Sequence, residues 1–272
     1  MISRRNELIS TRKLKPFGEL FVPASSPVTL PELPHDLIVK SIKRNFMVVC
    51  RGFTINNQNE LLSFCRRFGE VLGDEVHPFT EIVDRHDSGA SFLFSNGSVP
   101  LHWDGAFGSV TPKYVVLACM TAPRKDQGGE TLFCDTSRIV RRASEMTTAA
   151  WSKLTLNYKY DEHTDPRSYS LITKNSAGKP MLRFVQPPDA DVQGVAGLKV
   201  TINDGMARRI ASEDLLSRLR FFTQSKSYTY SHSWIAGDVI LADNLSLLHG
   251  RRAFSKNAPR KLLRIHIAGD EE

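Results

Sequence analysis

The sequence predicts a mostly β protein with helical inserts, its strands forming a β-sandwich or jelly roll. Three observations carry this. Short runs of β-prone residues recur at fairly even spacing, each bounded by turn formers such as Gly, Pro, Asn, Asp and Ser. A few stretches instead repeat their apolar residues with the period of a helix. No linker, internal repeat or low-complexity block divides the chain, so residues 1–272 are expected to form one domain.

Residues 1–34 contain Pro23, Pro27, Pro31 and Pro34, which break any long element, and are expected to be an irregular N-terminal segment. Helical spacing runs from Pro34 to Arg44, with Leu37, Ile38 and Ile42 on one face. Residues 46–50 read as a short buried strand, punctuated by Arg51-Gly52. Asn57 or Asn59 caps a helix that runs to Phe68, with Leu61, Leu62, Cys65 and Phe68 inward and Gly69 as the stop. Strands are then expected at 90–94, 114–120, 130–134, 154–160, 180–184, 227–233, 238–242 and 262–267. Helical inserts are expected over 137–154 and 204–223; the second carries Met206, Ile210, Leu215, Leu219 and Phe222 as its apolar set, with Ser212 a candidate internal cap.

Composition sets outer limits. Hydrophobic residues make up 41% and charged residues 24%, ordinary for a soluble globular protein. The longest apolar stretches fall far short of a membrane span, and no apolar signal-peptide core follows the basic N-terminus, so a cytoplasmic protein without a membrane partner is expected. Cys50, Cys65, Cys119 and Cys134 are widely spaced, form no C-x-x-C pair and sit among apolar neighbours; they read as buried free thiols, not as a zinc site or a disulfide framework. A net charge of +7 suits a nucleic-acid binder, but the basic residues come as scattered pairs such as Arg66-Arg67 and Arg251-Arg252. No basic stripe interleaved with aromatics exists. The better reading is a solvated basic surface that attracts anionic substrates, with no nucleic-acid partner.

The chemistry-bearing segment is Pro100-Leu-His102-Trp-Asp104-Gly. On a strand or strand end, His-x-Asp puts both side chains on one face, because side-chain direction alternates with period two. Alone this pattern is weak, since it occurs by chance in many proteins. His249, in Asp243-Asn-Leu-Ser-Leu-Leu-His249-Gly-Arg, supplies a second imidazole. Two histidines and one carboxylate form the facial triad that suits Fe(II) and leaves positions open for a chelating cosubstrate and dioxygen. In Arg260-Lys-Leu-Leu-Arg264, a spacing of four puts both guanidiniums on one face of a strand, and their planar donor forks suit a carboxylate. Thr131, in Gly128-Gly-Glu-Thr131, offers a hydroxyl to the same carboxylate.

Together with Gly237-Asp-Val-Ile and Asp243-Asn244, these motifs resemble the taurine dioxygenase (TauD/TfdA) family, in order, from about residue 30 to the C-terminus. The resemblance implies a double-stranded β-helix of jelly-roll type that uses Fe(II), 2-oxoglutarate and O2. It implies that His102, Asp104 and His249 are the catalytic iron ligands. It further implies that Thr131 and Arg260 bind the distal carboxylate of 2-oxoglutarate, and that Arg264 grips the anionic group of the primary substrate. The two arginines could share or exchange those roles. The implied enzyme hydroxylates or desaturates a small carboxylate or sulfonate, with release of succinate and CO2. The wording around His102 and Thr131 is similar to members that tailor amino-acid-derived natural products, including those partnered with isonitrile synthases.

Other residues are weaker candidates. Asn96 and Phe107 flank the triad and are candidate substrate-pocket residues, equally readable as a loop polar group and a core aromatic. Trp103 reads as a packing residue. His77, His86, His163 and His232 have no recognisable partner, and His266, on the face of Arg264, reads as a structural histidine. Gly128-Gly129 lacks the Lys-Ser/Thr of a phosphate-binding loop. Two rival functions are weaker. A catalytically silent jelly-roll sensor is opposed by the intact ligand set, and a nucleic-acid demethylase by the missing basic-aromatic stripe.

Overall fold

The computed structural model describes residues 9–24, 27–73, 78–84, 94–108, 110–159, 165–186, 199–203 and 212–268. Two sheets carry the site. The larger has the order Ile9–Lys13, Glu19–Pro23, Met47–Cys50, Val239–Asp243, Tyr114–Thr121, Lys261–Ile267, Val71–Leu72, with Thr80–Val83 also paired to Lys261–Ile267. The smaller runs Thr229–His232, Thr131–Cys134, Leu248–Arg251, Val99–His102, all antiparallel. Apart from Ile9–Lys13 and Glu19–Pro23, neighbours in both sheets are distant in sequence, as in a jelly roll.

Period-two alternation explains how the layers assemble. Along Tyr114–Thr121, Tyr114, Val116 and Ala118 join a core with Ile38 and Ile42 of the helix His35–Asn45 and with Leu61, Phe64 and Cys65 of the helix Gln58–Arg66. The alternate residues Val115, Leu117 and Cys119 pack instead against Phe133 of the smaller sheet. That inter-sheet layer houses the site. On the far side of the smaller sheet, Leu101, Cys134 and Leu248 are covered by the helices Thr136–Arg142, Glu145–Trp151 and Ser212–Gln224.

Several expectations are corrected. The segment 1–34 is not irregular throughout: Ile9–Lys13 and Glu19–Pro23 form an antiparallel pair, and Glu19–Pro23 runs parallel to Met47–Cys50. Pro23 ends a strand instead of preventing one, a position where its missing N–H is tolerated. The insert over 137–154 is two helices, because Ser144 leaves the first and caps the second by accepting from Thr147 N (3.1 Å). Asn57, not Asn59, caps the helix Gln58–Arg66 through Glu60 N (3.0 Å). Of the strand expected at 90–94, residues 90–93 lie outside the described residues and Phe94 is not in a strand. Residues 204–211 also lie outside them, and the described part of the second insert is the helix Ser212–Gln224. Val99–His102 carries Pro100, which obscures it as a strand in the sequence; as an edge strand it accommodates proline.

Candidate metal and cosubstrate site

Strand pairing brings the triad together. In the smaller sheet His249 sits directly opposite His102, with ring centroids 4.5 Å apart. The strand ends at His102, and Asp104 enters a turn whose next residue, Gly105, has φ +89°. A Cβ there would lie 2.6 Å from the Val110 carbonyl, so only glycine fits. Asn244 pins that turn. It accepts from Asp104 N (2.9 Å) and donates to the carbonyls of Asp104 (2.9 Å) and Pro112 (2.8 Å). One ligand atom from each of His102, Asp104 and His249 lies within 4.8 Å of the others.

The protonation pattern fits a divalent metal. His102 Nδ1 is 2.8 Å from the Pro100 carbonyl, which can only accept, so Nδ1 carries the proton and Nε2 keeps its lone pair for a metal. Burial pushes the pKa of His249 down against the opposing pull of Asp104, favouring the neutral ring that coordinates metal. Burial alone raises the Asp104 carboxyl, but His249, the Arg264 guanidinium and His102 around it hold it well below the usual range. Two imidazoles and one ionised carboxylate are a donor set suited to Fe(II).

The structure gives Arg264 and His266 a place that sequence reasoning did not. Arg264 Nη1 donates to Asp104 Oδ1 (3.1 Å), and His266 Nε2 lies 2.8 Å from Asp104 Oδ2. Both come from Lys261–Ile267 in the larger sheet, two residues apart and therefore on one face. Among the described residues the buried Nε of Arg264 has no partner.

Arg260 and Thr131 also meet. Arg260 is buried, its Nε donates to the Gly129 carbonyl (3.0 Å), and its Nη2 is 3.5 Å from Thr131 Oγ1. Among the described residues no carboxylate pairs with it, and burial depresses its pKa to about 10. A buried guanidinium so placed lacks only an anion. The Gly128-Gly129 pair makes this possible. At φ +82°, a Cβ on Gly129 would sit 3.0 Å from Arg260 Cδ, and one on Gly128 2.4 Å from the Ala253 carbonyl. His102, Thr131, His249, Arg260 and Arg264 line one cavity together with the apolar side chains of Ile82, Leu117 and Leu262.

The remaining candidates lie elsewhere. Asn96 donates from Nδ2 to the Phe254 carbonyl (3.3 Å) and accepts on its own carbonyl from Phe254 N (2.9 Å), stapling two loops. Phe107 is half-buried, edge-on to Tyr158. Neither lines the cavity. Trp103 is buried in the outer core, edge-on to Tyr169. His232 is buried and bonded to Asp238 (3.0 Å), whereas His77, His86 and His163 lie outside the described residues. All four cysteines are free and buried, and burial pushes the thiols of Cys119 and Cys134 up to about 12. Among the described residues no helix is long and apolar enough to cross a membrane.

Residues 10–266 match the sequence model of the taurine catabolism dioxygenase TauD, TfdA family. The chain belongs to this family. It is 33% identical over 265 residues to the 3-((Z)-2-isocyanoethenyl)-1H-indole synthase of Fischerella ambigua, covering 95% of each chain. It is 33% identical over 263 residues to the tyrosine isonitrile desaturase of Pseudomonas aeruginosa, covering 92% of this chain and 87% of that one. The solved structure of PvcB, described as an Fe, alpha-ketoglutarate dependent oxygenase from an isonitrile synthetic pathway, superposes with a TM-score of 0.77 at 29% identity, over 95% of this chain and 91% of that one. This TauD/TfdA member is accordingly an Fe(II)- and 2-oxoglutarate-dependent oxygenase with a jelly-roll core.

Proposed function

We propose that this oxygenase desaturates or hydroxylates an isonitrile derived from an aromatic amino acid. The observation that carries the substrate class is the likeness, over nearly the whole chain, to two enzymes named for an isocyano-indole and a tyrosine isonitrile. Both names denote unsaturated products or a desaturation, which favours loss of two hydrogens over gain of oxygen.

In this reading His102, Asp104 and His249 hold the iron, and Thr131 and Arg260 hold the distal carboxylate of 2-oxoglutarate. Bound there, iron with 2-oxoglutarate and O2 would supply the oxidising chemistry for attack on a substrate C–H bond, with succinate and CO2 as co-products. Desaturation balances as one O2 and one 2-oxoglutarate consumed, with succinate, CO2 and water formed. Asn244 keeps Asp104 in place, and the Ile82, Leu117 and Leu262 side chains exclude water beside the cosubstrate site. Arg264 donates one N–H to Asp104; its Nε, without a partner among the described residues, supports its assignment to the carboxylate of the substrate. Four free thiols support a reducing, cytoplasmic setting.

Anaerobic protein with Fe(II) and 2-oxoglutarate is expected to show a weak visible charge-transfer band. On admission of air with the isonitriles of tyrosine and tryptophan, succinate and a desaturated product are expected, lighter by two hydrogens or by two hydrogens and CO2. His102→Ala and Asp104→Ala are expected to abolish both. Failure of the parent protein to bind Fe(II) and 2-oxoglutarate contradicts the site; binding without isonitrile-dependent succinate contradicts the substrate.

A further inference from the structure

We propose that Trp234 is a positioning residue for 2-oxoglutarate, fixing the Thr131 hydroxyl as a donor to the distal carboxylate. The proposal rests on the reading that Thr131 and Arg260 hold that carboxylate. Trp234 Nε1 donates to Thr131 Oγ1 at 3.0 Å, and both residues are buried. An indole N–H can only donate, whereas a hydroxyl has two lone pairs and one proton. Arg260 Nη2, likewise only a donor, approaches the same oxygen at 3.5 Å. With both neighbours donating, the Thr131 proton finds an acceptor on neither. Among the described residues it donates to no other group, and an anion in the adjoining cavity is the acceptor missing from its surroundings. Removing the indole N–H frees the hydroxyl to turn, and preorganisation is lost.

The indole is held in turn from behind. Asp238 is 1% exposed and accepts at Oδ2 from the backbone N of Ile235 (3.0 Å), the residue after Trp234. The same carboxylate binds His232 Nε2 (3.0 Å) and takes a bidentate pair from Arg51 (2.6 and 2.8 Å). His232 stands edge-on to Trp234, with centroids 4.5 Å apart at 79°. The Gly237-Asp238 turn thereby supports Trp234 and, through it, Thr131.

The test is calorimetric titration of 2-oxoglutarate into Zn(II)-substituted protein, which needs no turnover, in four forms: parent, Trp234→Phe, Thr131→Val and the double variant. Thr131→Val is expected to weaken binding; if it does not, or if the parent does not bind, the underlying assignment of the carboxylate site fails. Trp234→Phe is expected to weaken binding by roughly three- to tenfold when Thr131 is present, the net worth of one hydrogen bond, and to add nothing alongside Thr131→Val. Equal losses in both backgrounds mean that the indole acts by packing alone and overturn the proposal, as does no loss in either. Should Trp234→Phe not fold, the indole N–H resonances of Thr131→Val decide. That of Trp234 is expected to move upfield while those of Trp103 and Trp151 stay, and an unmoved Trp234 signal overturns the proposal.

Discussion

At the scale of the residue, burial decides what each charged group can do. Arg260 is a buried cation that, among the described residues, hydrogen-bonds a carbonyl and a hydroxyl and no carboxylate, so its favourable state awaits an anion. Arg260→Ala is expected to raise the half-saturating 2-oxoglutarate concentration by roughly ten- to a hundredfold, the worth of hydrogen bonds to a charged group. Steady-state succinate release measures this. An unchanged requirement, with a large rise for Arg264→Ala instead, reverses the roles of the two arginines. His232 shows the same logic in its titration. Burial lowers its pKa, against the hydrogen bond and charge of Asp238 and with the charge of Arg51. The unfolded chain therefore takes up a proton near pH 6.5 that the folded chain resists, and stability falls as pH drops below that value. Asp238 adds to this only at lower pH, because its folded pKa is itself depressed: burial raises it, but Arg51 and His232 outweigh burial. The thermal midpoint is expected to decline between pH 7 and 5, with a shallower slope in His232→Gln; equal slopes remove His232 as the cause.

At the scale of the element, the site depends on residues just past the strand ends. Asp104 is outside Val99–His102, and its position comes from the three hydrogen bonds of Asn244, just beyond Val239–Asp243. Asn244→Ala is expected to weaken Fe(II) or Zn(II) binding by roughly ten- to a hundredfold, as for other residues that orient a metal ligand. A competitive chelator titration reads this directly, and parent-like affinity counts against the clamp. Much here is legible in the sequence: His102-x-Asp104, the period-two spacing of Arg260, Arg264 and His266, and a capped helix after Asn57. The strand Val99–His102 is obscured by Pro100, and Ile9–Lys13 by the proline-rich composition around it. In both cases the partner strand, not local propensity, decides the conformation.

At the scale of the whole molecule, the cavity is a joint between two sheets. His102, Thr131 and His249 come from the smaller one, and Leu117, Leu262 and Arg264 from the larger. A ligand there bridges residues from both layers, which come together only in the folded state. Zn(II) with 2-oxoglutarate at about a hundred times its dissociation constant is expected to raise the thermal midpoint by roughly 5–10 °C. In Arg260→Ala the metal's share of that shift is expected to persist while 2-oxoglutarate adds little. A full shift in the variant means that the cosubstrate is held elsewhere.

The chemistry on offer is written in the residues alone: two imidazoles, a carboxylate, a hydroxyl and two guanidiniums, in an order that resembles one family. So is the alternation that sends Val115, Leu117 and Cys119 to the site layer. Folding in three dimensions adds that His102 faces His249, that Arg264 and His266 bear on Asp104, and that Trp234 reaches Thr131. The physical reason is range. Periodicity and capping arise between near neighbours in the chain, whereas these contacts depend on the register of strands that are remote in sequence.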